Sequence, residues 1–225
     1  MSEFGGEVVP AAGLAAGDEF VPGPRVKFQD HWSFLGTSLP KPWATNGDHV
    51  EDFNARSQGG LGMRVFSPGN TFGYCKNGRR VVGYKDSFTE EMRLTVVMKW
   101  QGGNNLHWGF SDGAMVAVND FDNAATRRCA IRMGTAAGHR MKSGDGSADS
   151  ETDTGVSFTT GVNVYELLVR SADYQLFRNG VLLGTKTTNI PTSGNEMEFF
   201  IEPTNNATDS TLVIYEILVE YIARP

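Results

Sequence analysis

The stretch from Met92 to Trp100 constrains this chain most tightly. Met92, Leu94, Val96, Met98 and Trp100 alternate with Arg93, Thr95, Val97 and Lys99. A period of two lays one apolar face along a strand, whereas a helix would need a period of about 3.6. The alternation returns in Tyr165, Leu167 and Val169, and again in Met197, Phe199 and Ile201. In the run Thr211 to Ile222 it predicts one face bearing Val213, Tyr215, Ile217, Val219 and Tyr221. Asn179-Gly180, set between two apolar runs, is a strong short-range hairpin signal. Shorter strands are expected over 63–67, 71–76, 80–84, 106–110, 115–118, 130–133 and 156–159.

No window carries the apolar stripe of an amphipathic helix. The 27 glycines and the 11% aromatic content suit turns and pleated strands. About a dozen strands are expected, more than the ~7–9 of an immunoglobulin domain. The sequence therefore predicts an all-β, two-sheet antiparallel sandwich (a jelly roll) over residues 25–225. A chain of 225 residues can bury a core of this kind without disulfide or metal. Cys75 and Cys129 are too few for a disulfide framework, and buried free thiols are expected.

Residues 1–24 are different. They hold five Gly, four Ala and three Pro, and their only charges are Glu3, Glu7, Asp18 and Glu19. The segment is expected to be an extended N-terminal arm. Phe4, Val8, Val9, Leu14, Phe20 and Val21 are its candidate contacts with a partner protein. It has neither the positive start nor the unbroken apolar core of a secretory signal, so export by the standard route is not expected. No apolar stretch approaches the ~18 residues of a membrane span. The net charge of −6 argues against a phosphate-neutralising nucleic-acid binder.

The final third adds a resemblance. It runs from Asn163-Val-Tyr-Glu through Phe177-Arg-Asn-Gly180, Thr187-Thr-Asn-Ile-Pro191 and Met197-Glu-Phe-Phe-Ile201 to a long terminal strand. This order resembles the closing strands of the concanavalin A-like lectin/glucanase superfamily, in particular its laminin G-like members. Phe28–Trp43 with Gly62-Met-Arg-Val resembles the family's opening, and Leu106-His-Trp-Gly-Phe-Ser-Asp112 its mid-chain strand. The resemblance implies the sandwich fold. It does not single out a function, because this fold serves lectins, hydrolases, lyases, adhesion modules and viral coat proteins.

Four places hold residues of chemical interest. His107, Trp108 and Asp112 bring a ring face and polar groups together, as carbohydrate recognition requires. Asp149, Glu151 and Asp153 alternate as oxygen ligands do in a calcium loop, and Ca²⁺ is the ion they would hold; Asn119, Asp120, Asp122 and Asn123 form a second such cluster. Glu196, Glu198 and Glu202 share strand parity. Retaining glycosidases need two carboxylates about 5–5.5 Å apart, and glucanases of the resembled family place them as E-x-D-x-E or E-x-D-x-x-E. Here Glu198 stands at the Asp position, and Phe200 and Ile201 stand where the closing acid would be in the two patterns. The three are therefore expected to form a solvated acidic face and not a catalytic set.

No other cofactor is implied. The expected function is non-catalytic binding and assembly. An unexported sandwich with such an arm resembles a viral structural protein of the phage type, decorating a capsid or tail, oligomeric, and tethered to other virion proteins by its arm. Surface glycans are the expected further ligand. The alternatives are a glycoside hydrolase or lyase of the same superfamily, and a free lectin.

Overall fold

The computed structural model describes residues 25–33, 43–47, 50–52, 63–67, 73–77, 90–101, 105–112, 125–134, 138–191, 197–204 and 210–223. The expected arm (1–24), the expected strands 80–84 and 115–118, and the cluster Asn119–Asn123 lie outside the described residues.

Among the described residues fifteen strands follow one another: β1 (Arg25–Ser33), β2 (Trp43–Gly47), β3 (Val50–Asp52), β4 (Met63–Ser67), β5 (Gly73–Asn77), β6 (Glu90–Trp100), β7 (Asn105–Ser111), β8 (Arg127–Gly134), β9 (Gly138–Asp145), β10 (Asp149–Asp153), β11 (Val162–Val169), β12 (Tyr174–Arg178), β13 (Val181–Lys186), β14 (Glu198–Thr204) and β15 (Ser210–Ala223). One sheet has eight strands in the order β13-β12-β11-β6-β15-β4-β3, with β1 also paired to β15. The other has seven, β10-β9-β8-β7-β14-β5-β2. Every pairing is antiparallel. The two sheets make the all-β sandwich that the alternation predicts.

The core is the space between the sheets. From the eight-stranded sheet it takes Met92, Leu94, Val96, Met98, Trp100, Tyr165, Leu167, Val169, Leu212, Ile214, Ile217 and Val219. From the other come Leu106, Trp108, Phe110, Cys129, Ile131, Met133, Met141, Met197, Phe199 and Ile201. Arg93, Thr95, Val97 and Lys99 are only partly buried, as β6's alternation requires. Cys129 is buried and in no disulfide among the described residues. Fully burying side chains of this size is worth about 1.5–3 kcal/mol each. At the β12–β13 turn Asn179 (φ 51°) and Gly180 (φ 78°) both take positive φ, the type I′ geometry that matches strand twist.

The structure corrects three expectations. The terminal strand does not keep one phase. Its pairing with β6 shifts register between Ile214 and Glu216, so Leu212 and Ile214 face the core before that point, and Ile217 and Val219 after it. A β-bulge of this kind inserts one residue and moves the side-chain phase across the sheet. Tyr215 is left half-buried. Second, 156–159 is not a strand; Val156 instead accepts the His139 N–H at 3.0 Å. Third, the polar stretch around Asp145–Asp153 is not a loop but the β9–β10 hairpin.

Candidate functional site

The face of the seven-stranded sheet turned away from the core is strongly polar. Its register aligns Glu202, His107, Arg132, Arg140 and Asp153 in one row across β14, β7, β8, β9 and β10. Their chain neighbours Ile201, Leu106, Trp108, Ile131, Met133 and Met141 point into the core, which fixes the row on the opposite face.

The row grades from closed to open. Side-chain exposure is 0% at Glu202, 5% at His107, 20% at Arg132, 37% at Arg140 and 52% at Asp153. At the closed end His107 Nδ1 stands 3.6 Å from Glu202 Oε1. At the open end Glu151 is clasped by two guanidinium groups: Arg132 Nη1 lies 3.3 Å from Oε2, and Arg140 Nη1 lies 2.9 Å from Oε1. The hydrogen bond to Glu151 raises the Arg140 pKa further above its ordinary value. Arg140 Nε lies 3.8 Å from Asp153 Oδ2, and Lys142 Nζ lies 3.1 Å from Asp149 Oδ2. Cross-strand pairs of opposite charge therefore tie β10 to β8 and β9.

The expected carbohydrate residues do not converge. His107 and Trp108 are consecutive on β7 and point to opposite faces. Trp108 is 0% exposed, its indole N–H directed at Met133 Sδ (3.3 Å) and its ring 5.6 Å from that of Tyr165. A ring in the core offers no face to a sugar, so Trp108 is corrected to a packing residue. Asp112 accepts the Arg127 backbone N–H at 2.9 Å and a guanidinium N–H of the same residue at 3.1 Å, closing the β7–β8 end. Among the residues of β7, β8, β9 and β10 no large exposed aromatic side chain lies on the outer face.

The expected metal residues Asp149, Glu151 and Asp153 do share one face of β10. Alternate positions on a strand stand about 7 Å apart, and each carboxylate meets Lys142, Arg132 or Arg140 instead of converging with the others. Among the described residues no group of three or more acids, histidines or cysteines could hold a metal ion. The neighbouring Asp145 serves its own turn. Its Oδ1 accepts from the N–H groups of Ser147 and Ala148 and from the Ser147 hydroxyl, all at 2.8 Å, which holds the carboxyl near a pKa of about 2.

Glu202 overturns the expectation of a solvated acidic face, because it is wholly buried beside His107. Glu196 and the Glu198 side chain lie outside the described residues. The sequence reading also missed Arg132, Arg140 and Lys142. The available signal was the alternation of Arg140 and Lys142 around the single apolar Met141, followed by the turn former Asp145-Gly146.

The fold is that of the concanavalin A-like jelly-roll lectins. No family model and no curated protein matches the chain. Solved structures do. The carbohydrate recognition domain of Emp47p superposes with a TM-score of 0.62 at 8% identity, covering 86% of this chain and 94% of that one. The Lotus tetragonolobus seed lectin gives 0.57 at 9% identity, over 87% of this chain and 100% of that one. The exoplasmic/lumenal domain of VIP36, in a Ca²⁺/Man-bound form, gives 0.57 at 11% identity, over 81% and 84%. At such identities the likeness is one of fold.

Proposed function

We propose that this chain is a non-catalytic, lectin-like binding and assembly module that takes a glycan at the open margin of its seven-stranded sheet. One observation carries the reading: the sandwich matches carbohydrate recognition domains over most of its length, 86% of it for Emp47p. The margin supplies suitable chemistry. Arg140 offers a fork of donors and Asp153 a half-exposed acceptor, and Glu151 holds Arg140 in place. Sugar hydroxyls donate and accept, so fixed groups of both kinds suit them. Binding here rests on polar groups in place of ring stacking. His107 lies buried at the closed end of this face and Asp112 is engaged by Arg127, so neither forms its contact surface.

In this reading the module works within a virion, held to other virion proteins by the arm of residues 1–24 through Phe4, Val8, Val9, Leu14, Phe20 and Val21. Ordering such an arm costs roughly 1–2 kcal/mol per residue, so it docks where a partner supplies backbone hydrogen bonds as well as apolar contact. Deleting residues 1–24 is expected to leave a soluble sandwich of unchanged melting temperature that no longer incorporates into particles. Normal incorporation of the truncated chain would place the attachment on the sandwich. For the margin, glycan binding with and without EDTA is compared with that of Arg140→Ala and Asp153→Asn. Loss in both variants supports the site, and a dependence on EDTA would bring Ca²⁺ into it. Binding unchanged in both variants would remove the margin from consideration.

A further inference from the structure

The segment 154–161 crosses from β10 in the seven-stranded sheet to β11 in the eight-stranded one. Val156 and Phe158 are half-buried in it, while Gly155, Ser157 and Thr159 are exposed. Phe158 packs on the core, its ring 4.6 Å from that of Trp100. The first half of this strap is fastened to His139, near the start of β9. The His139 N–H donates to the Val156 carbonyl at 3.0 Å, and ring Nδ1 donates to the same oxygen at 2.8 Å. The His139 carbonyl in turn accepts the Thr154 N–H at 3.0 Å and the Thr154 hydroxyl at 2.9 Å. Gly138 lets the strap come this close: a Cβ there would stand 2.5 Å from the Val156 carbonyl oxygen.

These partners fix the protons of the ring. A carbonyl oxygen only accepts, so Nδ1 carries a hydrogen. In the neutral ring Nε2 is then an acceptor, and the Tyr165 hydroxyl donates to it across 3.2 Å. His139 and Tyr165 are both buried. A second proton, on Nε2, would set a donor against a donor. Tyr165 would have to turn its hydrogen away, on a ring packed against Trp108. The surrounding groups oppose the proton as well. From β12 the Arg178 guanidinium acts on both His139 and Tyr165. β8 presents Met133 as the register partner, the strap presents Thr154 and Val156, and Arg140 beside His139 is turned to Glu151 on the outer face. Among the described groups that act on the ring no carboxylate offsets a charge there.

We infer that 154–161 is an acid-released strap, held shut by the neutral His139 ring and let go when that ring takes up a second proton. The release is local. Arg178 Nη1 donates to the Ser157 carbonyl, and Asn163 Nδ2 to the Thr159 hydroxyl and the Gly161 carbonyl, all at 2.9 Å. Neither side chain changes charge near neutral pH. They keep the far end of the strap tethered while 154–158 lifts. Phe158 then leaves Trp100, and that end of the core opens to an apolar probe. Burial holds the closed ring below its ordinary 6.5. The open form therefore binds the proton more tightly, and acid drives the opening. The strap does not rest on the glycan reading, and failure of either leaves the other standing.

The test uses the full chain and amide hydrogen exchange, corrected for the intrinsic rate at each pH. The amides of His139, Thr154 and Val156 are bonded within the latch and are expected to lose protection as pH falls. Between about pH 7.5 and about pH 5.5 the loss should approach about tenfold, the limit for one proton taken up at an open-state pKa near 6.5. Amides of β6 should keep their protection, and binding of an apolar dye should rise as the strap opens. His139→Gln, with no proton to take up, should make strap protection independent of pH over that range. Asp153→Asn should leave the response in place, although Asp153 accepts the Gly155 N–H. Strap protection that does not change with pH overturns the inference. So does a response that survives His139→Gln or vanishes in Asp153→Asn, and so does loss at β6 in step with the strap, which is global unfolding. Should His139→Gln not fold, the parent decides: a loss that begins only below about pH 5 belongs to carboxylates and refutes the latch.

Discussion

Gly109 tests the closeness of β7 and β8 that the polar row depends on. It pairs with Ala130 on one side and Phe200 on the other. Its φ is +140°, and a Cβ there would stand 2.5 Å from the Cys129 carbonyl oxygen and 2.7 Å from Ala130 Cα. Both are backbone atoms of β8, so relief requires the strand itself to move. Gly109→Ala therefore combines two penalties: about 1–3 kcal/mol for the rarely adopted φ, and about 1–3 kcal/mol for overpacking. A loss of about 4 kcal/mol is a large share of the roughly 5–15 kcal/mol that holds a domain folded. With a urea m-value of about 2–3 kcal/mol/M, the unfolding midpoint should fall by about 1.5 M. Two other glycines separate the causes. Gly155 has a φ of +71° and nothing within 4 Å of an added Cβ, so its alanine variant should lose only about 1–2 kcal/mol. Gly161 meets nothing and has no positive φ, so Gly161→Ala should be neutral or slightly stabilising. Urea titrations of the three variants, followed by tryptophan fluorescence, give the comparison. A Gly109→Ala midpoint within about 0.3 M of the parent, or a Gly161→Ala loss as large as that of Gly109→Ala, would refute the reasoning.

Other outcomes follow from the buried groups. Glu202→Ala should cost about 1–3 kcal/mol, as expected when the partner of a buried polar group is removed, and a urea midpoint equal to the parent's would show that the row is not structural. Val96→Asp or Phe199→Asp should abolish soluble expression, because both side chains are 0% exposed in the core. Burial holds His139 below its ordinary 6.5, with Arg178 acting in the same direction and the bond to the Val156 carbonyl opposing. The unfolded chain then binds more protons just below pH 6.5, so stability declines as pH falls through that window, and His139→Gln should flatten the decline. Asp145, held at about 2, adds a second loss between pH 3.8 and about 2, where only the unfolded chain takes up the proton; Asp145→Asn should remove it in acid titrations followed by circular dichroism.

Much of the fold was legible because half-buried strands write their burial as a period of two. β6, β11 and β14 carry that period plainly, and each core-facing residue foreseen on them is buried. The turn at Asn179-Gly180 was legible because few residues tolerate two positive φ values in succession. Phase was lost at β15, since a bulge adds a residue that leaves both halves of the alternation apolar and the break unmarked. The β9–β10 hairpin was illegible for another reason. Its outer face is charged, Ser143, Ser150 and Thr152 share the alternate positions with Met141, and only Met141 joins the core cluster. The candidate site lies mainly on those strands, so its cations Arg132, Arg140 and Lys142 could be placed only once the register was known. His107 and Trp108 show the opposite risk: adjacency in sequence on a strand separates side chains to opposite faces.

The most direct measurement is a glycan array probed with the full-length protein, repeated with Arg140→Ala, with any bound oligosaccharide recovered and sized afterwards. The proposed function predicts binding to a restricted set of glycans, its loss in the variant, and recovery of the oligosaccharide intact. Cleaved oligosaccharide would contradict it in favour of a hydrolase or lyase, and no binding to any glycan would leave the lectin-like sandwich without the ligand assigned to it.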